Sequence, residues 1–306
     1  MSPWRSQRCE VQWPAVEEPP QWISIRRLPL GRRAKMHFTI VTPSYRQSES
    51  LRRCIASVAD QDIEHEHIVH DACSDDGTLD WLPRDPRVIP VVAGDEGMYD
   101  AINRGFRRAR GDVLAWLNSD EQYLPGALWR VWDFFERHPE VDMVLGDVLV
   151  TRPDGAWAGT RPALIPRWPH TRVGPSLSYL TAGAFIRRRA FEERELWFAP
   201  EMQRDGDREW TLRVIRSGVR IALLGEFTSV LTESPTSPPA QTQRDLTAFA
   251  RQAPWWARLL RPAVVLHHHL RGLARASRVT LPVEYSLYTP DSPDQRRAFR
   301  TDAAVR

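Results

Sequence analysis

Between residues 36 and 234, short runs of apolar and β-branched residues alternate with stretches whose apolar positions recur every three to four residues. A short apolar run flanked by turn formers marks a buried strand, and the longer spacing marks a helix with one apolar face. The pattern predicts a strand over 37–42 (His37-Phe-Thr-Ile-Val-Thr42), broken by Pro43. A helix follows with Leu51, Cys54, Ile55 and Val58 on one face, and Ser48 or Ser50 can cap it. Further strands are expected over 67–70, 87–92, 113–117 and 142–145, with Pro90 suggesting an edge. Helices are expected over 99–110 and from Pro125 onward, the latter with the stripe Leu128, Val131, Trp132 and Phe135. The later half is less regular. Residues 185–191 read as a strand turning into a helix, 207–217 as a helix ended by Gly218, and 219–224 as a last strand. Strands alternating with single helices build an α/β fold, with a Rossmann-like, mostly parallel sheet flanked by helices.

The flanks differ. Residues 1–35 hold five prolines with Trp4, Trp13 and Trp22 between them, which forbids a long helix and reads either as an extended Pro/Trp-rich arm or as a partly disordered leader. Residues 235–306 begin with a linker marked by Pro235, Pro238 and Pro239. An amphipathic helical segment follows over 255–275, rich in Trp, Leu and Arg. It can pack on the main domain or lie in a membrane interface. From Asp291 the chain reads as a disordered tail. The three parts are thus 1–35, 36–234 and 235–306.

Composition narrows the field. The chain has 306 residues, enough for a sizeable core, and a net charge of +3 with no concentrated basic tail, so charge lends no support to a nucleic-acid partner. Cys9, Cys54 and Cys73 are too few and too scattered for a disulfide framework or a zinc site, which suits reduced thiols in the cytoplasm. No apolar run approaches the ~20 residues of a membrane span, and the first ten residues lack a signal-like apolar stretch. Consecutive histidines His267, His268 and His269 point in different directions on a helix and cannot chelate one ion well.

Ligands of open parallel sheets bind outside the carboxyl ends of the strands. Thr42-Pro-Ser-Tyr45 follows the first strand, Asp71-Ala-Cys-Ser-Asp-Asp-Gly-Thr78 the second, Asp95-Glu-Gly97 and Asp100 the third, and Asn118-Ser-Asp-Glu121 the fourth. Four successive strand ends thus bring acidic or polar groups to one rim. Carboxylates fixed at 118–121 are hard oxygen ligands for Mg²⁺ or Mn²⁺, and such an ion can bridge a diphosphate. Asp71, still within the strand end, can accept hydrogen bonds from a base or a ribose, and Tyr45 with Pro43 offers a flat wall. The absence of Gly-x-Gly-x-x-Gly after the first strand disfavours a dinucleotide-dependent oxidoreductase.

Four ordered segments resemble family 2 glycosyltransferases of the GT-A fold: Phe38-Thr-Ile-Val-Thr-Pro-Ser-Tyr45, the turn from Asp71 to Thr78, Gly97-Met-Tyr-Asp-Ala-Ile-Asn-Arg-Gly105, and Trp116-Leu-Asn-Ser-Asp-Glu121 followed by Leu124-Pro-Gly-Ala127. The resemblance implies an inverting transfer from a nucleotide-sugar donor to a glycan or lipid-linked acceptor, assisted by a divalent metal, in polysaccharide assembly on the cytoplasmic side or peripheral to the inner membrane. It places Thr42, Pro43, Tyr45 and Asp71 around the nucleotide, Asp100 near the donor, Asn118 and Ser119 in the donor-binding motif, and Asp120 as the metal ligand. Counting back from Arg213, it makes Asp207 the general base that takes the acceptor's proton, with Asp205 two residues earlier as a competitor and Glu209 a weaker one. The chain departs from the family at Thr181-Ala-Gly-Ala-Phe185 and Leu231-Thr-Glu-Ser234, where relatives often carry His, Gln or Arg. Those departures touch the acceptor pocket, and the alternative they raise is a weakly active or inactive relative that binds a nucleotide-sugar or a partner enzyme.

Overall fold

In the computed structural model the described residues are 36–202, 205–233, 253–277, 279 and 282–301. The arm over 1–35 and most of the proline linker lie outside them. The strands are β1 (Phe38–Ser44), β2 (His65–Asp71), β3 (Ile89–Val92), β4 (Val113–Trp116), β5 (Glu121–Tyr123), β6 (Met143–Thr151), β7 (Trp157–Arg161), β8 (Ala184–Arg187) and β9 (Ile221–Thr232). They form one sheet in the order β3-β2-β1-β4-β8-β6-β9-β5, with β7 beside β6. β3, β2, β1 and β4 are all parallel, as are β6 and β9, whereas β8, β5 and β7 pair antiparallel. This is the α/β architecture the pattern predicts, with antiparallel strands inserted in its second half.

The pleat sorts the core. Val41, Leu114 and Trp116 point to one face, under α2 (Met98–Phe106), α5 (Arg188–Glu193) and α6 (Gly206–Arg216). Phe38, Ile40, Val113 and Ala115 point to the other, under α1 (Ser48–Ala59) and α3 (Ala127–Arg137). Successive strand residues alternate faces, so β1, β4, β6, β8 and β9 contribute to both cores.

Several expected boundaries shift for identifiable reasons. β1 continues through Pro43 to Ser44, in register with His70 and Asp71. Val41 accepts from Leu117 on the β4 side, but β4 pairs with β1 only as far as Val41. Pro43, two residues on, faces that now open side, so its missing N–H breaks no ladder bond. Neither Ser48 nor Ser50 caps α1; the orphan Ser48 N–H is bonded instead by the Asp76 carboxylate at 2.9 Å. Helix α3 starts at Ala127, after Gly126 with φ 67°, rather than at Pro125.

The largest correction concerns the C-terminus. Residues after Asp291, expected to be disordered, form β11 (Ser292–Arg300), paired antiparallel with β10 (Glu284–Thr289). The hairpin buries Tyr285 and Leu287 against Leu124, Leu149 and Val230, and stacks Tyr285 on Phe299. Arg296 fastens it to the main sheet, pairing with Asp60 at 2.5 Å and donating to the Tyr123 carbonyl at 2.9 Å. Before the hairpin, α7 (Trp255–Leu259) and α8 (Arg261–Ala276) pack beside α4 (Trp168–Val173).

Candidate active site

Because β1 to β4 run parallel, their carboxyl ends open on one rim, and the loops there are laced together. Arg46 N donates to Ser74 Oγ at 2.8 Å, Arg46 clasps Asp75 through two guanidinium nitrogens, and Asp76 binds both Ser48 N and Thr78. Arg46 (φ 53°) and Cys73 (φ 59°) hold left-handed backbone that non-glycine residues rarely adopt. Strain of this kind persists only where the surroundings over-determine it.

Asp71 is fully buried at the end of β2. Its carboxylate accepts from Ser74 N (2.7 Å), Ser74 Oγ (2.8 Å) and Ser44 Oγ (2.9 Å). Burial raises its pKa, and the serine contacts work against that rise. Thr42, expected near a nucleotide, turns instead towards α1: its hydroxyl lies 2.8 Å from His67 Nε2 and 3.6 Å from Cys54 Sγ. Period-two alternation puts Thr42 on the same face as Ile40, away from the rim. Pro43 is buried, while Tyr45 is half-exposed with the Arg46 guanidinium 5.1 Å from its ring.

After β3 comes a group the sequence reading only partly weighed. Asp95 is buried, accepts from Gly97 N at 3.0 Å, and is pushed up to about 6 by burial. His70 Nε2 is 3.4 Å away. It is not an ion-pair partner, because burial lowers that imidazole to about 4 and leaves it neutral. Asp100, in the first turn of α2, accepts from Glu96 N at 3.1 Å and pairs with Arg104 at 2.7 Å.

After β4, the Asn118–Glu121 turn closes on itself: Asn118 N donates to Glu121 Oε2 at 2.8 Å. Ser119 Oγ donates to Gln47 Oε1 at 2.8 Å, which ties this turn to the start of α1. Glu121 is buried as the first residue of β5, and burial with the nearby Asp120 charge pushes it up to about 8. Burial also raises Asp120. Asp120 faces a cleft of about 570 Å³ that also takes in Arg46, Arg53, Asp76, Glu233 and Tyr288. One wall of it is therefore the C-terminal hairpin. Arg53 makes no ion pair or hydrogen bond among the described residues, and burial lowers its pKa. A half-buried guanidinium offset only by the Glu49 charge one turn earlier on α1 can still accept an anion. Nothing in the sequence separated Arg53 from the many surface arginines; only its position in the first turns of α1, beside the Asp120 rim, does so.

Among the described residues, no three His, Cys, Asp or Glu side chains gather closely enough to hold a metal alone. The site nonetheless suits Mg²⁺ or Mn²⁺ bound through one or two protein oxygens and completed by phosphates. Among the described residues Asn118 Oδ1 is buried without a hydrogen-bond partner, and Asp120, two residues on, has a carboxyl whose pKa burial raises. Both are hard oxygen donors.

Asp207 sits in the first turn of α6, on the α2 side of the rim. Its N–H donates to Tyr99 Oη at 2.9 Å, and its Oδ1 accepts from Arg208 N at 2.7 Å. Beneath it Tyr99 stacks on Phe198, Phe198 on Trp210, and Trp116 meets both edge-on, with centroids 5.0–5.3 Å apart. Gly206 permits this approach, since a Cβ there would lie 2.3 Å from the Tyr99 ring. Burial in this aromatic setting pushes Asp207 up to about 6, against the pull of Arg208. Arg208 itself is buried and turned away, donating to the carbonyls of Thr171 (2.8 Å) and Gly174 (3.3 Å). Asp120 and Asp207 thus flank the ends of the same parallel strands, but the described cleft around Asp120 does not extend to Asp71 or Asp207.

Solved structures share this α/β sheet with its inserted antiparallel strands. The Staphylococcus aureus protein TarS (residues 1–349, solved with UDP-GlcNAc) superposes with a TM-score of 0.57, over 80% of this chain and 77% of that one, at 16% identity; this likeness concerns the fold alone. The profile of Glycosyl transferase family 2 matches residues 39–194, and the chain belongs to that family. Among curated relatives, a PGL/p-HBAD biosynthesis glycosyltransferase of Mycobacterium bovis is 34% identical over 129 residues, which is 40% of this chain and 50% of the relative. The putative teichuronic acid biosynthesis glycosyltransferase TuaG of Bacillus subtilis is 33% identical over 102 residues, 31% of this chain and 40% of that protein. The chain spans about half the length, or less, of these relatives.

Proposed function

We propose that the chain is an inverting glycosyltransferase that moves a sugar from a nucleotide-sugar donor to a hydroxyl of a glycan or lipid-linked acceptor. Family membership supports sugar transfer, and the naming of the relatives supports a place in cell-surface glycan synthesis. The observation that carries the reading is Asp207: a carboxylate desolvated over an aromatic floor, raised to about 6, at the head of α6 beside the start of α2. A general base works best with a pKa near the working pH.

In this reading Asp207 accepts the proton of the acceptor hydroxyl as that oxygen bonds to the anomeric carbon. The bond from that carbon to the diphosphate oxygen breaks on the opposite face, and the diphosphate leaves with the electron pair. Asp120, with Asn118 Oδ1, would hold Mg²⁺ or Mn²⁺, which when bound offsets the charge of the leaving group. Arg53 supplies a second positive charge to the diphosphate. Pro43 and Tyr45 flank the base, while Ser119 and Asp100 steady the donor side. Asp71 organises the loop around the base through Ser44 and Ser74, and a direct contact with donor requires one of those hydroxyls to give way. Thr42 acts from behind, through the α1 contact.

One observation favours a second reading, a donor-binding relative with slow turnover. Glu233 shares the Asp120 cleft and adds negative charge where relatives often have Arg or His. Calorimetry with nucleoside diphosphates and Mn²⁺, run beside a transfer assay, separates the two readings. Asp120→Asn should abolish metal-dependent donor binding. Asp207→Asn should keep donor binding and lose transfer by about 10²–10⁴-fold. Transfer that survives in both variants refutes the assignment. Wild-type binding without turnover selects the second reading.

A further inference from the structure

The face of α7 and α8 turned away from the body is apolar and uncovered among the described residues. Trp255 is 70% exposed, Leu259 72%, Leu266 61%, Leu270 55% and Leu273 68%. Within α8 the leucines follow at steps of four and three, so they form one stripe along the helix. The opposite side anchors the helix: His268 is buried, Arg271 donates to the Ile165 carbonyl at 2.7 Å, and Arg275 pairs with Asp147 at 2.9 Å. The leucine stripe is therefore the outward face of a docked helix. Isolated exposed leucines are ordinary, whereas a continuous stripe of this size marks a contact surface.

Charge decides the occupant. Between Asp245 and Glu284 the sequence has no acidic residue, while Arg258 and Arg261 are exposed where α7 meets α8. Pairing with a second copy would press two acid-free, arginine-bearing faces together with nothing to neutralise them. An anionic lipid surface neutralises them and accepts the leucines, and Trp255 beside the arginines suits the headgroup level. Among the described residues no helix is long and apolar enough to cross a membrane, so the contact is one of lying on the surface.

We propose that α7 and α8 dock the protein on an anionic lipid bilayer, with the stripe of Leu259, Leu266, Leu270 and Leu273 entering the interface. α8 packs on α4, and α4 receives the Arg208 guanidinium next to Asp207. The docking face is thus one helix layer from the carboxylate, which suits an acceptor carried on a lipid. That last point rests on the function proposed above; the docking itself does not.

The test is co-sedimentation of the full chain with phosphatidylcholine vesicles and with vesicles containing about a third phosphatidylglycerol. Binding to the anionic vesicles should be at least about tenfold tighter and should weaken in about 0.5 M salt. Leu266→Gln/Leu270→Gln/Leu273→Gln should abolish it with the melting temperature unchanged, because these side chains are exposed. Arg258→Gln/Arg261→Gln should erase the preference for anionic lipid. Failure of the wild type to bind either vesicle, equal binding by the triple variant, or a dimer in light scattering that the triple variant dissociates would overturn the proposal. Vesicle binding by a chain that transfers no sugar would sink the proposed activity and leave the docking intact.

Discussion

Replacing Asp207 by Asn separates catalysis from stability in a way that few other roles for this residue would allow. Asn is isosteric, and its Oδ1 can keep accepting from Arg208 N, as the Asp207 carboxylate does at 2.7 Å. What disappears is the charge. Its pKa is raised from 3.8 to about 6 by burial, so the folded state holds the proton more tightly than the unfolded chain. Below the unfolded value both states are protonated and no penalty exists. The penalty grows as pH rises from 3.8 to about 6 and is complete above that. The full difference amounts to about 3 kcal/mol, and partial exposure of the side chain reduces it to about 1–3 kcal/mol. Asp207→Asn should therefore unfold at higher urea or temperature than the wild type at pH 8, by several degrees, with the gain fading towards pH 4. Transfer should fall in the same variant, and the wild-type kcat/KM should rise with pH through a midpoint near 6. A variant no more stable at pH 8 than at pH 4 relative to wild type, with transfer retained, would refute the view of Asp207 as a desolvated base.

Three further outcomes follow from single contacts elsewhere in the fold and beside Asp207. Gly206→Ala puts a Cβ 2.3 Å from the Tyr99 ring; equilibrium denaturation should show a loss of about 1–3 kcal/mol, and transfer should fall because Asp207 shifts with the helix start. Arg208→Met leaves the Thr171 and Gly174 carbonyls without their donor, and a loss of about 1–3 kcal/mol should appear in urea melts. Arg296→Ala removes the ion pair to Asp60 and the bond to the Tyr123 carbonyl; the hairpin should then exchange its amide hydrogens faster than the β1–β4 core, with about 1–3 kcal/mol lost.

The front half of the fold was legible because buried parallel strands read as unbroken apolar runs, and parallel strands with helices between them leave few topologies. The rim was legible for the same reason: once the strand ends are known, so are the loops that crown them. The side chains' own commitments were less visible. Thr42 sits two residues after Ile40, and the pleat alone turns it towards α1, yet its place near the rim suggested the opposite. Asp71 reads as a free carboxylate until Ser44 and Ser74 are seen to occupy it. The C-terminal hairpin was hidden by its charges. Its outward positions carry arginines, and only Tyr285, Leu287 and Phe299 betray the inner face. Consequently the hairpin wall of the Asp120 cleft, and with it Tyr288, could not be anticipated from the pattern.

The distribution of buried carboxylates separates the rim from the rest of the molecule. Asp142 is buried and pairs with Arg220 at 3.2 Å, which with the backbone bond from Arg220 lowers its pKa despite burial. Asp147 is buried and pairs with Arg275 at 2.9 Å; burial still raises its pKa, and Arg275 works against that rise. Both follow the rule that a buried charge keeps a partner. At the rim the rule fails: Glu121 rises to about 8 and Asp207 to about 6, and Asp120 rises as well, with no arginine in ion-pair contact among the described residues. Uncompensated burial is destabilising, and a scaffold under no other demand would pair these groups as it pairs Asp142. On the function proposed above, that cost would be offset by a ligand that brings positive charge to Asp120 and by an acceptor proton that moves to Asp207. The unpaired acids at the end of β4 and at the head of α6 therefore fit the proposed site, while Asp142 and Asp147 are held in structural ion pairs.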